Sequence, residues 1–533
     1  MSGQEMNAMS GIREVTTLAT LPALRSQRLG PKAALIVRDE PLSYDALERR
    51  SNQAAHALRR EGIHPGARVA VLGRESLDSL VLLFGVAKAR AVYVGLNWRL
   101  APEELAYILE DSGAQLLFVD EESAALVPRV FEKMRGPLPV VRVGAPLSAP
   151  GAFAHWCEGA APTPLDMAYD PEEVVVQLYT SGTTGRPKGV LLPHRSFLAI
   201  SHALEAHGEC WIGWTEASVS MLFVPTFHIG GLWWLVRGLA LGSTQVVLRS
   251  FEPATILSSL ARYRVTHTCM VPAMMQILLG EPGIHQADLS SLKAVVYGGA
   301  PISTALLEKG RRLLGCDFAQ IYGMTETGNC AVCLRPEDHQ NAPASRLRAA
   351  GRPFPGVQVR VLDEQGHEVP PGTIGQICLN SPARMAGYWH QPEETQKTLV
   401  GEWVMTGDAG YVDAEGFVYI CDRVKDMIIS AGENIYPAEI ENVIRSHPEV
   451  ADVAVIGVPD ELWGEAVKAL VVKQPGSTLR AGDILRHTRG ALAEFKVPKS
   501  VEFTEGLPRN AAGKLLKGVL REPYWKGRER RVN

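Results

Sequence analysis

The sequence predicts an α/β fold: a large N-terminal domain of two doubly wound α/β subdomains plus a small β-barrel, followed by a small α+β C-terminal domain. Three observations carry that reading. The chain has 533 residues, more than one compact core accommodates. Short β-branched runs alternate twice with longer helical stretches, the pattern of parallel strands joined by crossover helices. From Gly351 the texture changes to short strands separated by Gly, Pro and Asp turns, and after Asp422 it changes again.

The first alternation starts at Arg68. Val69–Leu72 reads as a strand, Ser76–Lys88 as a helix, Ala91–Leu96 as a strand, Pro102–Asp111 as a proline-opened helix and Leu116–Val119 as the next strand. The second places strands at Val219–Val224, Gln245–Leu248, Thr266–Val271 and Ala294–Tyr297, with helices at Pro253–Tyr263, Met274–Leu279 and Thr304–Leu314. Gln358–Leu362 and Gly375–Leu379 are short strands of an antiparallel barrel or sheet. The last regime holds helix Pro437–Ser446, strands Val450–Gly457 and Lys468–Val472, helix Gly482–Leu492 and strand Ser500–Glu502, enough for an independent domain. The RVKD segment at 423–426 is the natural boundary, giving expected domains 1–424 and 425–533.

Composition removes several function classes. Hydrophobic residues make up 46% and charged residues 21%, which excludes a disordered chain. Lys+Arg 54 against Asp+Glu 58 leaves a net charge of -4, and no basic block precedes Lys526–Arg531, so nucleic acid is not an expected partner. The eight cysteines show one paired spacing, Cys330-x-x-Cys333, and a zinc site needs a second pair. The segment MSGQEMNAMSGIREV lacks the apolar core of a secretory signal. Ser79–Val94 is broken by Lys88 and Arg90, and Ile229–Leu241 by Arg237, so no stretch reaches the ~20 apolar residues of a membrane span. A cytoplasmic protein is expected, with peripheral membrane contact of the basic tail and a homodimer both left open.

The chemistry begins where strand Val174–Tyr179 runs into Thr180-Ser-Gly-Thr-Thr-Gly-Arg-Pro-Lys-Gly189, which holds four hydroxyls, three glycines and two cations. Glycines at 182 and 185 let backbone N–H groups approach a polyanion, Thr180, Ser181, Thr183 and Thr184 donate further hydrogen bonds, and Arg186 and Lys188 neutralise charge. This is a phosphate-gripping loop. It is not a Walker A loop, because Pro187 stands where the second glycine belongs and no Ser or Thr follows Lys188. No G-x-S-x-G elbow surrounds Ser181, which excludes it as a nucleophile.

The YTSGTTGRPKG stretch, together with further motifs in the same order, resembles the adenylate-forming superfamily, and within it the acyl-CoA synthetase and fatty-acid–CoA ligase branch. The resemblance runs from about residue 30 to about 521. It implies an ATP-dependent enzyme that makes an acyl-adenylate and passes the acyl group to CoA, with Mg²⁺ as cofactor. In Tyr322-Gly-Met-Thr-Glu326 it implies that Tyr322 stacks on adenine, Gly323 belongs to the ATP-binding set, Thr325 bonds the α-phosphate and Glu326 helps hold Mg²⁺ with Thr180, as hard oxygen ligands would. Gly298-Gly-Ala-Pro301 is implied to place Gly299 and Ala300 along the adenine and acyl pocket. Asp408 and Arg423 are the implied ribose pair, a carboxylate to accept both hydroxyls and a guanidinium to donate.

Further along, the resemblance makes Lys425 a hinge about which the C-terminal domain swings. It makes Ser430-Ala-Gly-Glu433 the loop that meets CoA during thioester formation, although Ala431 stands where the family usually has Gly. Lys514, in Pro508-Arg-Asn-Ala-Ala-Gly-Lys514, is the implied catalytic lysine, with Asn510 in place of the common Thr. A carboxylate attacking an α-phosphate brings two anions together, and one cation at ~4 Å offsets about 4 kcal/mol of that repulsion at an effective dielectric near 20.

The acyl pocket is expected beside Phe227-His-Ile-Gly-Gly-Leu-Trp-Trp234, with His228 as a gate near the carboxylate. Trp233 and Trp234 point about 100° apart on a helix, so one lines the pocket and the other packs in the core. Met324, Asn329 and Val332 are further lining candidates, beside Gly299. No cation in these segments awaits a second carboxylate, so a neutral, apolar acid is expected, a medium- or long-chain fatty acid first, then aryl or steroid-side-chain acids. Loading of a carrier protein, an oxidative luciferase-type reaction and a non-catalytic nucleotide sensor are the rival readings.

Overall fold

The computed structural model describes residues 11–146, 149, 151–181, 186–300, 302–340, 343, 345–430, 433–489, 491–509 and 515–526, with the backbone alone at Ser181, Lys425 and Asn434. A large N-terminal domain carries three sheets and a small C-terminal domain a fourth. The first sheet runs in the spatial order Arg352–Pro353, Val332–Leu334, Asp317–Tyr322, Ala294–Gly298, His267–Met270, Val219–Leu222, Thr244–Val247, Ala33–Val37 and Glu40–Ser43. Its six central strands are parallel, and antiparallel strands close both edges. The second sheet runs Gly387–Tyr388, Pro187–Pro193, Val174–Ser181, Val92–Leu96, Arg68–Leu72, Ala114–Val119 and Val140–Arg142. Both are doubly wound, as the alternation of runs predicts.

The crossover helices are buried according to their composition. Leu77–Lys88 is apolar on every side and lies in the core, capped by Ser76, whose hydroxyl accepts from the Ser79 N–H at 3.2 Å. Its last residue is charged yet buried, and Lys88 meets Glu48 and Asn52 at 2.5 Å each. Burial without those two acceptors would strand the ammonium in the core. The small antiparallel unit pairs Gln358–Leu362, Gly375–Asn380, Trp403–Val412 and Val418–Arg423 in turn. In the C-terminal domain, Val450–Asp460 and Gly464–Lys473 form one long hairpin, with Ser500–Phe503 parallel to its second strand and Pro437–Arg445 packed against it. Both hairpin strands run past the expected Val450–Gly457 and Lys468–Val472, because cross-strand hydrogen bonds carry the ladder through the polar turn-side residues Glu465 and Asp460.

The strands on either side of the expected phosphate loop pair with each other as a hairpin. Thr180 pairs with Lys188 and Ser181 with Pro187, so a strand follows the loop where a Walker A loop would have a helix. Among the described residues no helix is long and apolar enough to cross a membrane.

Candidate active site

Parallel strands end on a common edge, and one of the residues singled out in the sequence, Tyr322, stands at such an end. Strand Asp317–Tyr322 delivers Tyr322, whose hydroxyl donates to Asp408 Oδ2 at 2.7 Å. Asp408 and Arg423 oppose each other in the register of Trp403–Val412 and Val418–Arg423, and the guanidinium meets Asp408 Oδ1 at 2.7 Å. Arg423 also donates to the Thr406 carbonyl at 3.2 Å. Burial, then the adjacent Asp408 charge, pushes the Tyr322 phenol far up, so it stays protonated and keeps donating. One strand end of the first sheet and one hairpin of the small sheet thus meet at a single carboxylate.

Directly after Tyr322, Gly323 admits no side chain, because a Cβ would overlap the Asn329 carbonyl. The chain then turns through the short helix Thr325–Thr327, and Asn329 takes a left-handed φ of 84°. Glu326 is buried and accepts from the Tyr388 hydroxyl at 2.7 Å. Tyr388 belongs to the edge strand that pairs with Val190, so this bond joins the two large sheets. Lys188, on the returning strand of the phosphate hairpin, is buried and ion-paired with Glu394, and its ammonium lies 5.1 Å from the Tyr388 ring centroid. The Lys188 and Lys397 ammoniums hold the Glu394 carboxyl below its ordinary range. Thr180 stands on the same hairpin opposite Lys188. Among the described residues no group of three or more His, Cys, Asp and Glu could hold a metal alone. Glu326 with a threonine oxygen is instead the donor set that suits Mg²⁺ shared with phosphates.

On the acyl side, strand Val219–Leu222 leads into a loop fixed by Glu75, which accepts from the Thr226 N–H at 2.7 Å and its hydroxyl at 3.0 Å. Phe227 in that loop lies against the second sheet, since a Cβ at Gly95 would come 3.1 Å from its Cα. His228 precedes the helix Ile229–Ala240, and its Nε2 is buried with no partner among the described residues. Burial, then the Arg99 charge, lowers its pKa to about 4, so the imidazole is neutral at pH 7. Trp234 packs in the core with its indole N–H on Ser220 Oγ at 2.7 Å. Trp233 is equally buried in the same core, with its indole N–H unpartnered among the described residues, so the structure does not divide the two tryptophans into a pocket-lining and a core residue as expected. Gly299 has φ +77° at the open end of strand Ala294–Gly298, with Ala300 exposed beside it. Met324 is half-buried beside the turn and Val332 fully buried. Cys330 and Cys333 are buried free thiols.

Lys425 lies in the short helix Val424–Asp426, where the backbone alone is described. Ser430 is buried on Ile428–Ser430 and Glu433 exposed on the opposing Glu433–Ile435. Gly182, Thr183, Thr184, Ala431, Gly432 and Lys514 lie outside the described residues, as does the side chain of Ser181. Three positioning residues escape sequence reading: Glu75, Tyr388 and Glu394. Tyr388 and Glu394 stand far from the residues they contact, so no local spacing reports them.

The family model described as AMP-binding enzyme matches residues 24–389, and that described as AMP-binding enzyme C-terminal domain matches 439–514. A fatty acid–[acyl-carrier-protein] ligase, ScoC, from Streptomyces coeruleorubidus is 45% identical over 98% of this chain and 99% of its own. A feruloyl-CoA synthase from an Amycolatopsis species is 38% identical over 94% of this chain and 98% of its own. The crystal structure of ATP-bound MatB from Rhodopseudomonas palustris superposes with a TM-score of 0.85 at 32% identity, covering 95% of this chain and 99% of that one.

Proposed function

The chain belongs to the AMP-binding enzyme family and is an AMP-forming acid–thiol ligase of the acyl-CoA and acyl-carrier-protein ligase group, and from that premise we propose that it activates a largely apolar carboxylic acid with ATP and transfers the acyl group to CoA. The observation that supports the nucleotide reading best is the meeting of Tyr322, Asp408 and Arg423 within hydrogen-bonding distance. Asp408 offers acceptors to a ribose diol, Arg423 adds donors, and the Tyr322 ring is the flat face available to adenine. Thr180, Ser181, Gly182, Thr183 and Thr184 are the proposed phosphate-binding residues, with Lys188 as a cation beside them. Glu326 and Thr180 would hold Mg²⁺, which supplies charge neutralisation for the departing pyrophosphate.

In the first step the acid's carboxylate attacks the α-phosphorus and pyrophosphate leaves. Lys514, brought by the C-terminal domain turning about Lys425, neutralises the two approaching anions, and Thr325 donates to the α-phosphate. His228, neutral by burial, gates the carboxylate without adding charge. In the second step the thiolate attacks the acyl carbon of the mixed anhydride and AMP departs, with Ser430, Ala431, Gly432 and Glu433 facing the pantetheine. Domains 1–424 and 425–533 are the proposed moving bodies. A phosphopantetheine on a carrier protein is the second reading, favoured by the 45% identity to an enzyme named for that acceptor.

An acid-by-acid screen of pyrophosphate release, with no acceptor, with CoA and with a holo carrier protein, tests both. Acid-dependent release that CoA multiplies is expected. Multiplication by the carrier protein alone selects the second reading, and release independent of any acid contradicts the ligase assignment.

A further inference from the structure

The carboxylate of Asp422 belongs to one domain by its backbone and to the other by its contacts. The backbone is fixed in the small antiparallel unit, where Asp422 opposes Ala409 in the register of Trp403–Val412 and Val418–Arg423. Oδ1 accepts from the Arg423 N–H at 2.7 Å. Oδ2 accepts from the Ala438 N–H at 2.8 Å and lies 3.7 Å from the Lys517 ammonium, and both of these partners come after Lys425 in the chain. The helix Pro437–Arg445 needs this acceptor. The first N–H groups of a helix have no partner inside it, and the residue just before the helix normally supplies one. Tyr436 stands there and makes no such bond. Glu439, the acid of the first turn, is ion-paired with Lys496 at 2.7 Å instead. Asp422 therefore caps the helix from across the domain boundary, and its charge is favoured by the helix dipole and by Lys517. Its side chain is 8% exposed, so solvent screens the contact little.

The remaining ion pairs of this network hold together without Asp422. Lys517 lies 2.8 Å from Glu441, which also accepts from the Val455 N–H at 2.8 Å, and Arg521 pairs with Asp426. Each of those groups follows Lys425 in the chain. A turn of the C-terminal domain about Lys425 would carry them as one body and leave Asp422 behind. It would break the Ala438 bond and the Lys517 contact, yet the ammonium would keep Glu441 as its partner. A contact made in one orientation and absent from the other shifts the balance between the two. We propose that Asp422 is a latch across the hinge, a positioning residue that holds the C-terminal domain in the observed orientation and so favours one half-reaction over the other. The proposal rests on the two-step reading above and on rotation about Lys425, and it adds the particular bond that breaks and reforms in each cycle.

The test times the two half-reactions separately for the wild-type protein, Asp422→Ala and Asp422→Asn. One is the pyrophosphate burst from acid and saturating ATP; the other is thioester formation from supplied acyl-adenylate with CoA or holo carrier protein, whichever the acceptor screen selects. Asp422→Ala is expected to slow one and spare the other, changing the ratio of their rates by at least about tenfold, as the loss of one charge-assisted hydrogen bond implies. Asp422→Asn keeps an acceptor for Ala438 but no charge, and falls between. Saturating ATP keeps any disturbance of the neighbouring Arg423 out of the ratio. A residue that only stabilised the fold would lower both rates together, and an unmoved ratio overturns the proposal. A second measurement uses wild type alone: hydrogen exchange over the first turn of Pro437–Arg445, with a non-hydrolysable ATP analogue plus acid, and with an acyl-sulfamoyl adenosine plus the thiol acceptor. Protection at Ala438 is expected in one state and lost in the other. Equal protection in both overturns the latch, and this measurement decides alone should the variants fail to fold. Wild-type protein without acid-dependent pyrophosphate release defeats the ligase reading and this inference with it, whereas a working ligase with an unmoved ratio defeats only the inference.

Discussion

At the scale of single residues, the carboxylate of Asp408 carries the nucleotide assignment, since it already accepts from Tyr322 and Arg423. Asp408→Ala removes the proposed acceptor for a ribose diol and leaves Arg423 without its partner. Losing charge-assisted hydrogen bonds of ~1.5–3 kcal/mol raises the KM for ATP by about ten- to a hundredfold, and steady-state kinetics at saturating acid check it. An unchanged KM would remove Asp408 from the site. Lys514→Ala acts on one half-reaction only: acyl-adenylate formation slows by roughly two to three decades, while thioester formation from supplied acyl-adenylate persists. Equal loss of both half-reactions would refute the role given to that lysine. Asp408 and Arg423 were named together from the family resemblance, and the structure places them opposite each other in register and in an ion pair. Arg237 was legible only as a break in an apolar run, because the three indoles around it come from two separate segments that composition does not bring together.

At the scale of elements, strands and helices were readable wherever burial is one-sided or complete, as in Leu77–Lys88 and Ala294–Gly298. The hairpin return of Pro187–Pro193 was not, because an apolar run after a glycine-rich loop fits either a strand or a buried helix until its partner is known. The last described helix, Lys517–Trp525, shows the same limit: its amphipathic pattern says nothing of its anchorage. Lys517, largely shielded from solvent, meets Glu441 at 2.8 Å and Asp422 at 3.7 Å, while Arg521, one turn on, pairs with Asp426. Asp422 also accepts from the Ala438 N–H at the start of Pro437–Arg445 at 2.8 Å. The terminal helix is thereby tied to both sides of Lys425. Lys517→Met leaves two buried carboxylates unpaired, and the C-terminal domain loses about 3–5 kcal/mol, read from its denaturation midpoint. A midpoint within error of wild type would show that the ion triad holds nothing.

At the scale of the whole molecule, buried histidines set the response to acid. Burial lowers the pKa of His194 to about 3 and of His228 and His267 to about 4 each, against 6.5 in the unfolded chain. Between pH 6.5 and pH 4 the unfolded chain binds protons that the native protein refuses, so stability is constant above 6.5 and is lost as pH falls through that window. Burial lowers the pKa of His339 in the same sense, whereas Glu75 and Asp422, pushed up by burial, work in the opposite sense and regain stability on acidification, two against four. The melting temperature is expected to drop by at least about 5 °C from pH 7 to pH 4.5, and a flat profile in a differential scanning experiment would contradict the neutral state assigned to His228. The proposed reaction is attack of an acid's oxygen on the α-phosphorus of ATP. The most direct measurement of it follows ¹⁸O from a doubly labelled carboxylate through a complete turnover with thiol. One labelled oxygen in the AMP released is the predicted result; label in inorganic phosphate, with ADP as the nucleotide product, would contradict acyl-adenylate chemistry.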